Sequence, residues 1–207
     1  MDRRALILSG IATLGLTACA TATPTSTNSA SDGSAAGAGT GPNGQPAQTY
    51  TMEEMIQQGS DALGVAAESV GAAVQRVFKE YGEPTAYLAG EEAAAALTVG
   101  ARYGRGLLYM KDRPTTEVFW QGPSIGFDAG GNASRVFTLC YNLEYPDAIF
   151  RRFPGVEGSA YMIGGLGVNY QRAENIVLAP IRAGVGLRLG ANVGYLTYSR
   201  QRNILPF

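Results

Sequence analysis

The 207-residue sequence contains no histidine. That excludes Ser-His-Asp and Cys-His catalysis, histidine-ligated zinc and histidine proton relays. Cysteine is almost as scarce, with only Cys19 and Cys140, and once an export signal ending at Cys19 is removed no stapling disulfide is expected. Cys140 lies among alternating apolar residues from Arg135 to Tyr141 and reads as a buried, inert thiol. What remains for an enzyme is carboxylate pairs, Lys or Tyr chemistry, or an oxygen-only metal site, and none of these is signalled. No catalytic residue, no metal and no cofactor is expected.

What is there begins with an address. Arg3 and Arg4 precede an apolar stretch from Ala5 to Leu16 that is too short to stay in a bilayer as a spanning helix, which is the form of a secretory signal. The run Leu16, Thr17, Ala18, Cys19 resembles a bacterial lipobox, which implies acylation of the Cys19 thiol and cleavage just before it. Ala20 follows in place of Asp, which implies the outer membrane. Three acyl chains would anchor firmly, at about 0.8 kcal/mol per buried methylene. Cleavage after Ala20 or Ala22 is the alternative, since both fit the small-x-small rule, and it would release a freely soluble protein. The expected location is the periplasm, anchored to the outer membrane through a lipidated Cys19.

Four segments follow from the composition. Residues 1–18 form the signal peptide. Residues 19–49 are rich in Thr, Ser, Ala, Gly, Asn and Pro, lack large apolar side chains, and read as a disordered tether reaching some tens of ångströms. Residues 50–82 carry a helical segment. Thr51 and Glu54 form a capping-box pair, Gly59 and Asp61 are expected to interrupt the helix they open, and a second helix is expected from about Ala62 to Tyr81, stopping at Gly82 and Pro84. Its stripe of Val70, Val74, Val77, Phe78 and Tyr81 is expected to pack on the next domain as core.

Residues 83–207 change to strand chemistry. Leu97–Tyr103 and Leu107–Met110 read as two strands joined at Gly104-Arg105-Gly106. Further runs are 117–121, 124–128, 135–141, 159–170, 175–181, 184–189 and 191–198. They are punctuated by Gly122-Pro123, Gly130-Gly131-Asn132, Ala173-Glu174-Asn175 and Gly190, with a one- or two-turn helix from Pro146 to about Phe153. Many short strands with glycines inside them point to a mainly β fold, a small soluble antiparallel β-barrel of about eight strands with the helical segment packed on it. Strands of five to seven residues are too short to cross a membrane as a barrel, which needs about 9 to 11. Gly186 and Gly190 are expected to be structural, with no room for a side chain.

Gly90-Glu91-Glu92-Ala93, Arg102-Tyr103-Gly104-Arg105-Gly106, Trp120-Gln121-Gly122-Pro123-Ser124, Asp128-Ala129-Gly130-Gly131, the run from Arg152 to Tyr161 and that from Val185 to Leu196 occur in one order over residues 83 to 207. In this the chain resembles the EipA family, envelope integrity proteins of alphaproteobacteria. The resemblance implies a periplasmic β-barrel of about eight strands that maintains the cell envelope, with no enzymatic activity to carry over. The lipobox and long tether depart from the family's simplest pattern. A looser similarity, in the glycine-punctuated strands, is to the SYLF lipid-binding domain, which implies contact with phospholipid head groups.

Charge is unevenly placed along the chain. Residues 19–99 carry nine acidic and two basic side chains, whereas residues 100–207 carry twelve basic and seven acidic ones, eleven of the twelve being arginine. Guanidinium binds phosphate and carboxylate in a fork, so Arg102, Arg105, Arg182 and Arg188, with Trp120 for stacking, are the candidate ligand-binding residues. Anionic lipid or lipopolysaccharide is the candidate partner. Nucleic acid is not expected for an exported chain, and the sequence names no protein partner. The competing reading places these arginines on solvated strand faces, because the odd spacing of Arg102 and Arg105 sends them to opposite faces. Glu91 and Glu92, as neighbours, are expected to point apart rather than to work as an acid/base pair. Asp128 reads as a turn residue, and Trp120 as core.

Overall fold

In this computed structural model the description covers residues 47–156, 159–183 and 194–203, with the side chains of residues 95–99 and 124–132 outside it. Two helices, α1 (Met52–Leu63) and α2 (Ala67–Tyr81), precede eight strands: β1 (Ala86–Met110), β2 (Thr116–Tyr141), β3 (Arg152–Pro154), β4 (Tyr161–Ile163), β5 (Leu166–Val168), β6 (Gln171–Ala173), β7 (Ile176–Ala183) and β8 (Tyr195–Ser199). The expected mainly β, barrel-like fold with a helical segment packed on it is what forms. Cys19, Arg188, Gly186 and Gly190 lie outside the described residues.

The capping box is present as expected, with the Thr51 amide donating to Glu54 Oε2 at 2.7 Å and the Glu54 amide to Thr51 Oγ1 at 3.2 Å. Gly59 and Asp61 do not interrupt α1. A side chain at Gly59 would meet Val70 and Phe137, so the glycine is there to let the helix approach α2 and the sheet. The break comes at Gly64, whose φ of 66° is the left-handed cap that glycine tolerates, and this moves the start of α2 to Ala67. Met55, Leu63, Val70, Ala73, Val74 and Val77 are buried.

The largest departure from the sequence reading is β1 and β2. Gly104-Arg105-Gly106 is not a bend between strands but part of one strand of 25 residues, and Gly122-Pro123, Asp128 and Gly130-Gly131-Asn132 lie within a second strand of 26. The two pair antiparallel from Ala86↔Cys140 to Leu108↔Thr116, with a register shift between Ala94 and Ala96. The shortness of strands therefore gives no argument about membrane spanning for this hairpin. The run 159–170 is likewise two strands, turned at Gly164 and Gly165 with φ of 58° and 79°. The helix at Pro146 is a single 3-10 turn ending at Ile149, and the turn at Glu174–Asn175 between β6 and β7 is as expected.

The long hairpin folds back on itself. One edge of β2 pairs with β7 over 135–141 and with β8 over 119–121, while β3 pairs with β8 and β6 with β7. A bridge between Gly155 and Gln171 joins β3 to β6 and closes the circuit. On the other edge of β2, the two halves of β1 meet as the lips of a seam. An ideal Cβ on Gly90 would lie 2.2 Å from the Arg105 carbonyl oxygen and 2.6 Å from the Gly106 Cα, and one on Gly106 2.5 Å from the Ala89 oxygen. The GRG element is thus a point of backbone approach, which a glycine pattern alone does not distinguish from a turn.

Two cores result. Inside the curl, Leu88, Leu108, Val118, Trp120, Val136, Cys140, Ile149, Phe153, Leu178, Leu196 and Tyr198 pack together. Outside it, Tyr87, Phe137, Leu139, Tyr141, Val177, Ala179 and Ile181 meet the helices. Alternate residues of β7 serve the two cores, which is why its run from Ile176 to Arg182 is buried throughout. Tyr170 fastens α2 to the sheet by donating to Glu80 Oε2 at 2.9 Å.

Substituting Gly90 or Gly106 with Val is expected to destabilise by about 3 kcal/mol or more, because backbone atoms of the opposing lip cannot move aside. Gly71, whose Cβ would meet nothing nearer than Ile56 at 3.7 Å, is expected to gain up to about 1 kcal/mol as Ala. Urea midpoints for the three variants check both statements.

Candidate functional site

Glu92 follows Leu88 and Gly90 on the inward face of β1, and alternation carries its carboxylate into the barrel, where the residue is 3 % exposed. Glu91 turns the other way and is exposed, so the two neighbours point apart as expected. An ionised carboxylate in such a place needs donors on every side. Arg182 Nε, from β7, donates to Glu92 Oε1 at 3.0 Å, and its Nη2 reaches Oε2 at 3.4 Å. Trp120 Nε1, from β2, donates to Oε2 at 2.9 Å. Arg102 Nε stands 3.4 Å from Oε1. Asn169, between β5 and β6, accepts from Arg182 Nη1 through its Oδ1.

The electrostatics follow from this count. Burial alone would push the Glu92 carboxyl up, but the charges of Arg182 and Arg102, with the hydrogen bonds from Arg182 and Trp120, hold it below the ordinary carboxylate range. Glu92 is therefore an ionised acceptor of three hydrogen bonds, from Arg182 and Trp120, rather than a poised acid or base. Elsewhere in the interior, burial raises the Cys140 thiol well beyond the range in which a thiolate forms, which fits the inert thiol expected. The Tyr198 hydroxyl donates to Gln171 Oε1 at 3.2 Å.

Of the sequence candidates, the structure brings Arg102, Arg182 and Trp120 together around one carboxylate. Arg182 is 7 % exposed and Arg102 is half-buried, so neither sits on the solvated strand face that the competing reading assigned to it. The odd spacing of Arg102 and Arg105 does separate them as expected, for Arg105 is exposed. Trp120 is core, and its indole fills the space above Gly104 so closely that a Cβ there would lie 2.0 Å from Cε2. Glu92, the centre of the group, was not a candidate. Its one sequence signal, an acid two residues beyond a glycine in an inward strand register, needs the register to be known first.

Beside this network the lips of the seam part. The gap is a half-open cleft of about 270 Å³ with Glu91, Glu92 and Ala93 on one lip and Tyr103, Gly104 and Arg105 on the other. Phe119, Trp120 and Gln121 lie behind, and Arg202 and Asn203 flank it. No group of acidic or cysteine side chains among the described residues is arranged to hold a metal ion.

A curled antiparallel sheet closed around a buried ion network, with helices on its outer face, defines a β-barrel-like protein. A solved relative shares this architecture: the crystal structure of a β-barrel-like, uncharacterised protein from Brucella abortus is 45 % identical, with a TM-score of 0.69, over 78 % of this chain and 100 % of that one. The family model of envelope integrity protein A matches residues 48–207, and the chain belongs to that family. No curated protein matches it.

Replacing Glu92 with Leu leaves the Arg182 guanidinium buried and unmatched, and is expected to cost about 3–5 kcal/mol. Removing both charges, as Glu92→Leu with Arg182→Met, is expected to recover most of that loss, measured by urea denaturation. Because the folded carboxyl lies below its unfolded value, the pair's contribution is complete above the unfolded pKa of about 4.3. It is expected to fade as pH falls further, so acid unfolding of the Glu92→Leu variant is shallower below about pH 4 than that of the parent.

Proposed function

We propose that the protein is a non-enzymatic periplasmic component that supports the integrity of the cell envelope, anchored to the outer membrane through a lipidated Cys19. The family match over residues 48–207 carries the envelope role. The interior chemistry is consistent with a binding or structural part. Its buried carboxylate is held ionised by hydrogen bonds from Arg182 and Trp120 and by the nearby Arg102 charge, which suits a structural anchor better than a proton carrier. The anchor rests on the sequence, on Arg3 and Arg4, the apolar core and the run ending at Cys19. With the tether after it, that arrangement leaves the barrel free to reach from the membrane surface.

A second reading, binding of anionic lipid or lipopolysaccharide head groups, is favoured by one observation. Arg105 and Arg202 line the cleft, and their side chains make no ion pair or hydrogen bond with another described residue. Arg102 and Arg182 pair with Glu92, so among the described candidates head-group contact falls to Arg105.

Cys19→Ser is expected to abolish incorporation of labelled fatty acid and to move the protein from the membrane to the soluble fraction. Membrane fractionation without label in the parent would refute the anchor, and unchanged detergent sensitivity of cells lacking the protein would refute the envelope role.

A further inference from the structure

The cleft at the seam has a floor, walls and a mouth of different chemistry. Its floor is the ionised Glu92 carboxylate and the Trp120 indole. An acyl chain laid in the cleft would strip water from the exposed charges of Glu91, Arg105 and Arg202 and give nothing back. The walls are half-buried Tyr103 and Phe119, whose ring faces carry partial negative charge and attract the polarised C–H groups of a saturated ring. Glu91 and Asn203 offer an acceptor and an amide for hydroxyl groups.

The charge of the mouth is settled by its pairing. The Glu92 charge is more than matched by Arg182 and Arg102, leaving Glu91 against two exposed arginines, Arg105 and Arg202. The side chain of neither arginine makes an ion pair or hydrogen bond with another described residue. Two forked guanidinium groups beside one carboxylate favour an anion, and the fork selects phosphate or carboxylate. At about 270 Å³ the half-open cleft lies just below the usual range of ligand sites, which limits it to one ring with one substituent.

We propose that this cleft binds a single sugar ring bearing a phosphate or carboxylate group, carried either by a glycolipid head or by a soluble glycan. The proposal rests on the head-group reading above and gives it a ligand class. Arg105 and Arg202 hold the anion, Tyr103 and Phe119 bracket the ring, and Glu91 with Asn203 orient its hydroxyls.

Calorimetric titration of the full-length mature protein with glucose 1-phosphate and with glucuronate tests it, with glucose and inorganic phosphate as partial ligands. Saturable binding of the two anionic sugars is expected, weakened by salt. Arg105→Gln and Arg202→Gln are each expected to weaken it about tenfold. Arg113→Gln, an exposed cation that does not line the cleft, is expected to leave it unchanged. All three positions are exposed, and unchanged urea midpoints will show that the variants fold. Glucose or inorganic phosphate binding as tightly as the anionic sugars overturns the proposal, as does saturable binding that ignores both substitutions or the absence of any binding.

Vesicles bearing lipid A separate the sources. With Cys19→Ser in both proteins so that no acyl anchor inserts, capture by the parent and loss in the Arg105→Gln, Arg202→Gln double variant assigns the ligand to a lipid, while binding of the free sugars without capture assigns it to a soluble glycan. The envelope role is measured separately, by detergent sensitivity of cells lacking the protein. It survives a cleft that binds nothing, and its own failure leaves the titrations untouched.

Discussion

A carboxylate charge inside a barrel has to be matched from several strands at once, and the Glu92 group does this with side chains far apart in the chain. Arg182 is 90 residues away and Trp120 is 28. Taking the pair out of water costs several kcal/mol per ion, so the network adds little net stability over an apolar core of the same shape. What it adds is register. A slip of one residue in β1 would turn Glu92 to the outside and leave Arg182 buried without its counter-ion, a penalty of several kcal/mol where apolar contacts alone would discriminate more weakly.

The same constraint explains the neighbouring glycines. Gly90, Gly104 and Gly106 lie on the inward side of β1, two against the opposite lip of the seam and one under the Trp120 ring. Side chains at these positions would hold the two halves of the hairpin apart, and the indole could not reach the Glu92 oxygen. The seam therefore closes at Gly90 and Gly106 and opens one step further along, at residues 91–93 and 103–105. Closure and cleft are two results of one bend. The family pattern quoted from the sequence, Gly90-Glu91-Glu92-Ala93 with Arg102-Tyr103-Gly104-Arg105-Gly106, is this crossing.

The helices address the other face of the sheet. With α1 and α2 over Phe137, Leu139 and Ile181, the outer surface of the central strands is used for stability, and chemistry is left to the seam. Aromatic contacts reinforce the join, Tyr81 lying 5.1 Å from Tyr170 and 5.4 Å from Tyr141 between ring centres. Placing the polar groups at the seam rather than on the helical face keeps the candidate site on continuous strands, where side-chain positions are set by pleat and register.

Local chemistry was legible in the sequence: the absence of histidine, the Thr51/Glu54 cap, the apolar stripe of α2, the buried Cys140, the turn at Glu174–Asn175 and the mainly β character of the rest. Each depends on a few adjacent residues or on a period of 2 or 3.6. What the sequence could not supply was the length of β1 and β2, because a glycine that permits a turn and a glycine that permits close approach look the same until the opposing backbone is in place. Nor could it reveal that three of its candidate residues, Arg102, Arg182 and Trp120, serve a fourth that it had set aside. Their meeting at Glu92 depends on strand pairing across the whole domain, and such non-local contacts leave no periodic trace in the chain. The sequence by itself decided which residues were able to form helix or strand and which chemistries were absent. The tertiary structure decided where the hairpin folded, which arginines were spent on a buried carboxylate, and which were left lining the open cleft.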